Sequence, residues 1–315
     1  RWVNGETLHS VTNYALHKAL YSGHNDHNYF EIAHTVKYLQ NMGNLDLYNF
    51  VDNHDVERIY TKLSNKAHFT PVHILLYTLP GVPSIYYGSE FGIEGRKERS
   101  SDDSLRPALS LDDYETALGD NPCTALVAAL GQIRQHTPAL SYGSYAELHL
   151  TNRQFAFARD LNDVRVVVTV NNDDNAASMD LPAGNSVEYI GALSGQKVAV
   201  QDGRINVTVP ANSGEIWVPA GNMPEYKPFK VEISVKEETV TDEESIPADS
   251  EEPSAAAEPV HFDPNKSPED MSVAELHAAI LTKMANNGPV TDQMQKTVNE
   301  NIWHDSLVNW LKSFR

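Results

Sequence analysis

Cysteine is nearly absent from this sequence, in which Cys123 is the single example among 315 residues. One cysteine excludes any disulfide within the chain, and we interpret it as a small apolar side chain rather than a reactive thiol. Because disulfides mark oxidising compartments, their absence favours a cytoplasmic location.

Basic residues and long apolar runs are also scarce. The sequence has 24 Lys and Arg against 43 Asp and Glu, a formal net charge of −19. This charge repels phosphate backbones and anionic bilayers, so neither nucleic acid nor a membrane is expected as a partner. No run approaches the roughly 18 consecutive apolar residues that a membrane-spanning helix requires. The chain also begins without an initiator Met or a signal-peptide pattern, from which we expect a truncated amino terminus.

The first 140 residues alternate extended and helical patterns, which is typical of an α/β protein with a parallel sheet. Each predicted strand is a short apolar run, and each predicted helix has apolar residues at helical spacing before a Gly or Pro. The expected strands are 8–14, 45–51 and 82–87, and the expected helices are 29–39, 72–79 and 121–136.

Beyond residue 140 the pattern changes twice. Residues 142–219 alternate short apolar and polar runs between Asn, Asp and Gly clusters, which predicts an all-β sandwich. The next segment is rich in Glu, Asp, Pro, Ser and Ala without periodicity, so we expect an acidic disordered linker. The predicted domains are therefore residues 1–140, 141–220, the linker 221–266 and a tail at 267–315.

The tail is predicted to be a small helical module. Ser267 offers an N-cap, and Pro268 follows at the first helical position. A last helix carries large aromatic side chains on one face, namely Trp303, Trp310 and Phe314. This face suggests docking on a protein partner or back on the rest of the chain, and a self-contained helical bundle explains it equally well.

Residues 50–55, Phe-Val-Asp-Asn-His-Asp, place four polar side chains at the end of a predicted buried strand. Parallel sheets present their functional groups at this end of the strands. A buried polar group without a partner costs roughly 1–3 kcal/mol, so these side chains need partners or solvent. A functional site satisfies this requirement, and so does a strand-to-helix turn with Asn and Asp as caps.

This hexapeptide resembles the fourth signature segment of the α-amylase superfamily (glycoside hydrolase family thirteen), which lies on the seventh strand of that family's barrel. Residues 8–14, Leu-His-Ser-Val-Thr-Asn-Tyr, resemble the sixth strand, and residues 81–92 resemble the eighth. The family also carries a β-sandwich after its barrel. The resemblance covers residues 1–220 and implies strands six to eight of a (β/α)8 TIM barrel, followed by an all-β sandwich domain.

The resemblance implies roles for individual residues. Asp55 matches the Asp that stabilises the oxocarbenium-like transition state, and His54 matches the His that donates a hydrogen bond to a sugar hydroxyl beside the cleaved bond. Arg106 with Asp102 resembles the pair that binds the sugar on the non-reducing side. Asp103 is an alternative to Asp102, and a surface salt bridge explains the pair equally well.

The activity implied by the resemblance is retaining hydrolysis of α-1,4-glucans such as starch, maltodextrin or cyclodextrin-like substrates. A retaining enzyme needs a nucleophile and an acid about 5–5.5 Å apart, which the family places on strands four and five. Because this sequence matches the family from strand six onward, we expect it to be inactive alone. The alternatives are a non-catalytic scaffold and a protein that binds a partner through its helical tail.

Three barrel strands by themselves leave two strand edges and an inner face uncovered, so we expect the barrel part to aggregate or to need a partner. The sandwich, in contrast, is expected to have a core of its own.

No cofactor and no metal site are predicted from this sequence, and calcium is left open for a full-length parent because the family's usual calcium site involves other segments. His24, Asp26 and His27 are expected to form a capped helix start with solvent-facing imidazoles rather than a metal site. Arg58 is expected to pair with Glu57 at a helix start rather than to line the cleft.

Overall fold

The structure is a computed structural model that describes residues 6–42, 46–222, 266–268, 271–287 and 311. The chain divides into two compact units, Arg1–Glu237 and Glu238–Arg315. Most of the predicted linker and the aromatic face of the last predicted helix lie outside the described residues.

Helices dominate the first part of the first unit, and side-chain caps determine where two of them start. Asn13 accepts a hydrogen bond from the Leu16 N–H (3.1 Å), and Asn121 accepts one from the Cys123 N–H (2.9 Å) where Pro122 opens a helix. The helices predicted at 29–39, 72–79 and 121–136 are all present. The helices are α1 (Tyr14–Asn25), α2 (Tyr29–Gln40), α3 (Ile59–Lys62), α4 (Phe69–Thr78), α5 (Ala117–Asp120), α6 (Pro122–His136) and α7 (Pro138–Tyr142). Within the described ranges, no helix has the length and apolar composition of a membrane span.

Two short parallel strands, β1 (Tyr48–Phe50) and β2 (Val82–Ser84), lie side by side. A parallel bridge from Thr12 to Tyr48 continues the same order on the other side of β1. The first predicted strand is reduced to two isolated bridge residues, Leu8 and Thr12, because Asn13 already caps α1 while its N–H donates to the Tyr48 carbonyl at 2.9 Å. The three segments run in the predicted parallel order, with their carboxyl ends at one edge.

The residues predicted as a β-sandwich form two antiparallel sheets, which confirms the all-β prediction. The strands are β3 (Ser144–Leu150), β4 (Gln154–Leu161), β5 (Val164–Asn171), β6 (Ala177–Pro182), β7 (Glu188–Gly191), β8 (Lys197–Ala199), β9 (Arg204–Val209) and β10 (Ser213–Pro219). The larger sheet has the strand order β3-β4-β5-β10-β7-β8, and the smaller pairs β6 with β9. In β9 the side chains of Ile205, Val207 and Val209 are buried while the intervening ones are exposed, as expected for a strand with one face in a core.

Two hydrophobic clusters stabilise the first unit. One lies between the two sheets and includes Val167, Leu181 and Trp217. The other joins α1, α2, α4 and α6 to the opposite face of the larger sheet, where the rings of Tyr29 and Phe155 lie 6.1 Å apart between centroids. The helical and sheet parts, which the sequence separates into two domains, therefore share a core.

The described part of the second unit is centred on α8 (Val273–Asn287). The start predicted at Ser267 is wrong, because Ser272 and Glu275 form a capping box that begins the helix later. Glu275 N–H donates to Ser272 Oγ (3.3 Å), and Ser272 N–H donates to Glu275 Oε2 (2.7 Å). Leu276 and Ile280 lie on the buried face of this helix.

Candidate active site

The site begins where β1 ends and the chain becomes polar. Asp52 is 1% exposed, and its carboxylate accepts hydrogen bonds from Ser89 Oγ (2.7 Å to each oxygen) and from the Ile59 N–H (2.7 Å). Burial raises the pKa of Asp52, and these hydrogen bonds oppose that rise. Asp52 therefore connects the end of β1 to the segment after β2 and to the start of α3, and does not face a ligand.

Asn53 forms the turn that presents the next two side chains. Its Oδ1 accepts hydrogen bonds from the Asp55 N–H (2.8 Å) and the Val56 N–H (3.2 Å), a local turn that Asn favours. As a result the side chains of His54 and Asp55 project outward and are 55% and 50% exposed. The capping interpretation thus applies to Asn53, whereas His54 and Asp55 are available to a ligand.

All four residues predicted as the site lie together. His54 Nε2 is 3.4 Å from Asp55 Oδ2, and Arg106 Nη2 is 3.5 Å from Asp55 Oδ1. Arg106 Nη2 is also 3.5 Å from Asp102 Oδ2, so Asp102 rather than Asp103 is the acidic partner. The Arg106 Nε–H donates to the His54 carbonyl at 3.3 Å. We call this group, His54, Asp55, Asp102 and Arg106, the strand-end cluster.

The strand-end cluster is suited to binding hydroxyl groups. Its ion pairs are long and about half exposed, so each contributes at most about 1 kcal/mol to folding. One guanidinium keeps two carboxylates side by side, and carboxylates, imidazole and guanidinium together offer both donors and acceptors. Several hydroxyls of one sugar can be hydrogen-bonded at the same time by such a group.

Two neighbours of the cluster were missed by the sequence analysis. Lys97 Nζ donates to the Asp55 carbonyl at 2.8 Å, and the Tyr86 ring lies 6.4 Å from the His54 ring between centroids. Tyr86 packs edge-on against Tyr87 at 4.8 Å. Adjacent aromatic residues just after β2 were the available signal for the tyrosines, but no pattern pointed to Lys97, which a long loop brings to the site.

Arg58 is fully buried, and its hydrogen bonds do not run to Glu57 as predicted. Its Nη1 donates to the Tyr87 carbonyl (2.6 Å), and its Nη2 donates to the Leu105 carbonyl (2.9 Å). The guanidinium carbon lies 4.2 Å from the centre of the Tyr86 ring. The side chain therefore packs beneath the cluster and joins two loops.

The histidines considered for a metal site have other partners. His24 is fully buried, with Nδ1 at 2.6 Å from the Leu20 carbonyl and Nε2 at 3.2 Å from the Tyr29 hydroxyl, so the prediction of a solvent-facing imidazole is wrong. His27 Nδ1 lies 2.9 Å from the Asn172 carbonyl. In the described parts of the chain, no three or more His, Cys, Asp or Glu side chains are arranged to hold a metal ion.

Family models match most of the first unit. A model of the alpha-amylase catalytic domain matches residues 1–142, and a model of the alpha-amylase C-terminal domain matches residues 143–217. The boundary between the two models falls where the helical part gives way to the sheets.

The chain is also similar to curated bacterial enzymes. It is 27% identical over 180 residues to a cyclomaltodextrin glucanotransferase of Niallia circulans, a match that covers 55% of this chain and 24% of the relative. It is 26% identical over 175 residues to neopullulanase 2 of Thermoactinomyces vulgaris, covering 54% of this chain and 29% of the relative. The chain thus spans about a quarter of the length of the curated relatives it matches.

Solved α-amylase structures share the fold. An alpha-amylase from Malbranchea cinnamomea superposes with a TM-score of 0.60 at 20% identity, over 70% of this chain and 48% of that one. An alpha-amylase from Geobacillus thermoleovorans, complexed with acarbose, superposes with a TM-score of 0.56 at 17% identity, over 68% of this chain and 48% of that one. The family models and these neighbours show that the first unit has an α-amylase-like fold. Over residues 1–217, the chain belongs to the α-amylase family of glycoside hydrolases.

Proposed function

We propose that this chain supplies the sugar-positioning side of a glycoside hydrolase site that acts on α-1,4-glucans by a retaining mechanism. The observation that carries the proposal is the strand-end cluster, in which two carboxylates, an imidazole and a guanidinium meet at the carboxyl end of β1. The relatives named as a cyclomaltodextrin glucanotransferase and a neopullulanase, and the acarbose in a structural neighbour, support an α-glucan as the substrate.

Each member of the cluster has a separate task in this proposal. Asp55 accepts hydrogen bonds from ring hydroxyls and stabilises the positive charge that develops in the oxocarbenium-like transition state. His54 donates a hydrogen bond to a hydroxyl of the same sugar. Arg106 restrains Asp55 from one side and, together with Asp102, binds the next sugar on the non-reducing side.

The Thr12 segment, β1 and β2 are proposed to be strands six, seven and eight of a (β/α)8 barrel, which their parallel order supports. In this family the nucleophile and the acid lie on strands four and five. Asp55 cannot perform both roles, because the two groups act from opposite faces of the sugar ring. Residues 1–315 expressed alone are therefore proposed to bind a glucan without cleaving it.

The test is a titration of the 315-residue chain with acarbose, followed by NMR, together with an assay for sugar release from maltoheptaose. We expect shifts at the His54 ring at millimolar acarbose and no release of shorter sugars. Asp55→Asn should weaken binding about tenfold, because a hydrogen bond to a charged group is lost. Asp163→Asn, which changes an exposed Asp in the turn between β4 and β5, is the matched control and should leave binding unchanged.

The two halves of the proposal fail separately. Robust cleavage of maltoheptaose by this chain would refute its inactivity. Acarbose shifts that are absent, or that are equal in Asp55→Asn and the wild-type chain, would refute the sugar-positioning role.

A further inference from the structure

We propose that Arg58 is the positioning residue of the strand-end cluster and sets the place of Arg106, an inference that rests on the proposed function for its sugar readout only. Arg58 is 0% exposed, so it cannot contact a sugar itself. It acts through the backbone beside Arg106.

The hydrogen bonds of Arg58 and Tyr87 hold the chain on both sides of Arg106. Arg58 Nη2 donates to the carbonyl of Leu105, the residue before it, at 2.9 Å. The Tyr87 hydroxyl donates to the carbonyl of Pro107, the residue after it, at 2.8 Å, and the Tyr87 carbonyl in turn accepts from Arg58 Nη1 at 2.6 Å. One guanidinium therefore fixes the turn from which Arg106 reaches Asp55.

The same guanidinium is connected to the end of β1. Arg58 Nη1 lies 3.2 Å from Ser89 Oγ, and that hydroxyl donates to the buried Asp52 carboxylate at 2.7 Å. The Arg58 N–H also donates to the Gly95 carbonyl at 3.0 Å, and a Cβ at Gly95 would lie 2.9 Å from Arg58 Cγ. The segment after β1, which leads to Asp55, and the loops that carry Arg106 and Lys97 therefore all contact one buried side chain or its direct hydrogen-bond partners.

Stability alone is a weak reason for such a residue. Burying a cation is costly, and apolar residues of similar volume often stabilise a protein as well or better. The planar guanidinium of Arg58 instead donates to two carbonyls from different loops. A lysine ammonium cannot reach both carbonyls at once. The geometry therefore favours a role in placing the loops.

The test compares Arg58→Lys with Arg159→Lys in the full chain. Arg159 is the matched control because it is also buried (2% exposed) and also donates to carbonyls, of Thr78 and Gly143, but lies in the sheet part. The first readout needs no sugar and is the ¹H–¹⁵N resonance of Arg106 Nε, which donates to the His54 carbonyl. We expect it to move towards the position of a solvent-exposed arginine in Arg58→Lys and to stay in place in Arg159→Lys.

The second readout is a double-mutant cycle on acarbose binding. Arg58→Lys should weaken binding about tenfold in the wild-type background and less than about twofold in an Arg106→Gln background, because the misplaced group is already gone. A purely structural Arg58 would give equal losses in both backgrounds. Such additivity, or an unmoved Arg106 resonance, would overturn the inference.

Two provisions keep the outcomes separate. If Arg58→Lys does not fold, Tyr87→Phe replaces it in the test. This variant removes the hydrogen bond to the Pro107 carbonyl at a partly exposed position. An unmoved Arg106 Nε resonance in Tyr87→Phe would then overturn the inference. If acarbose does not bind the wild-type chain but the Arg106 resonance moves as expected, the proposed function fails while the positioning role of Arg58 stands.

Discussion

The sheet part, residues 143–222, and the helical part, residues 6–142, satisfy their buried polar groups in different ways. In the sheet part the buried Glu215 carboxylate accepts hydrogen bonds from the Leu193 and Ser194 N–H groups at 2.9 Å each. In the helical part His73 is fully buried, and its Nε2 has no hydrogen-bond partner among the described residues. Buried side-chain atoms without a partner occur in both parts, including the Tyr145 hydroxyl and Asn172 Oδ1 in the sheet part. The buried histidine nitrogens without a partner among the described residues, however, all lie in the helical part.

Topology explains this difference. β3, β4 and β5 are joined by short turns and pair in sequence, so neighbouring residues meet their partners locally. β1 and β2 are parallel and need a helical crossover, which brings the ends of distant segments to one edge. The strand-end cluster accordingly lies where such long connections meet, and not among the locally paired strands.

Low pH should destabilise the helical part more than the sheet part, and this is the largest difference in stability that we expect between them. Burial lowers the pKa of His24 to about 3 and the pKa values of His17 and His73 to about 4, all in the helical part. These groups bind protons in the unfolded chain below about pH 6.5 but not in the folded chain, so stability falls as the pH drops from 6.5 towards 4. At pH 5 each histidine should cost roughly 2 kcal/mol.

The measurement is the unfolding free energy between pH 7.5 and pH 5, with hydrogen exchange to locate the loss. His73→Gln should remove roughly 2 kcal/mol of the loss at pH 5, and His149→Gln on β3 is the control that should not. Burial raises the pKa of Glu215, which has the opposite sign and favours the folded sheet part as the pH falls. Exchange that accelerates first in the sheet part at pH 5 would contradict this prediction.

Truncating a side chain in the core shared by the helical and sheet parts should open different elements from truncating one in the core between the two sheets. Phe155→Ala removes a ring that packs against Tyr29 of α2, and we expect a loss of about 3–5 kcal/mol. Leu181→Ala removes a side chain between the two sheets, with an expected loss of about 2–5 kcal/mol. Native-state hydrogen exchange should show faster opening of α2 and α4 in Phe155→Ala and of β6 and β9 in Leu181→Ala. Identical patterns in the two variants would mean that the cores are not distinct.

The smallest expected difference is in the stability lost when either of two glycines with positive φ is replaced by alanine. Gly81 before β2 has φ +115°, and a Cβ there would lie 2.7 Å from the Leu47 carbonyl, whereas Gly203 before β9 has φ +73° and open space around it. Gly203→Ala should cost about 1–2 kcal/mol from backbone conformation alone. Gly81→Ala should cost about 3 kcal/mol, because a backbone carbonyl must also move. Urea unfolding of both variants measures the difference in unfolding free energy. Equal losses would show that the Leu47 carbonyl beside β1 and β2 can move at little cost.

Local patterns explain which predictions from the sequence were successful. Helical spacing before Pro138 located α6, and strict alternation located β9, because these signals depend on residues close in sequence. The start of α8 was misplaced because two capping sequences compete there, and Ser272 with Glu275 forms the reciprocal one. The burial of His24 was missed because its neighbours in sequence do not reveal that α1 packs against the larger sheet.

The sequence by itself determined the order of the elements, the all-β character of residues 143–217 and the turn that exposes His54 and Asp55, because hydrophobic period, capping residues and short motifs act over a few residues. Only the tertiary structure decided that Asp102 is the partner of Arg106, that Lys97 reaches Asp55, and that Arg58 lies buried beneath them. These contacts join loops far apart in the chain, and their geometry depends on how the helices pack on the sheet.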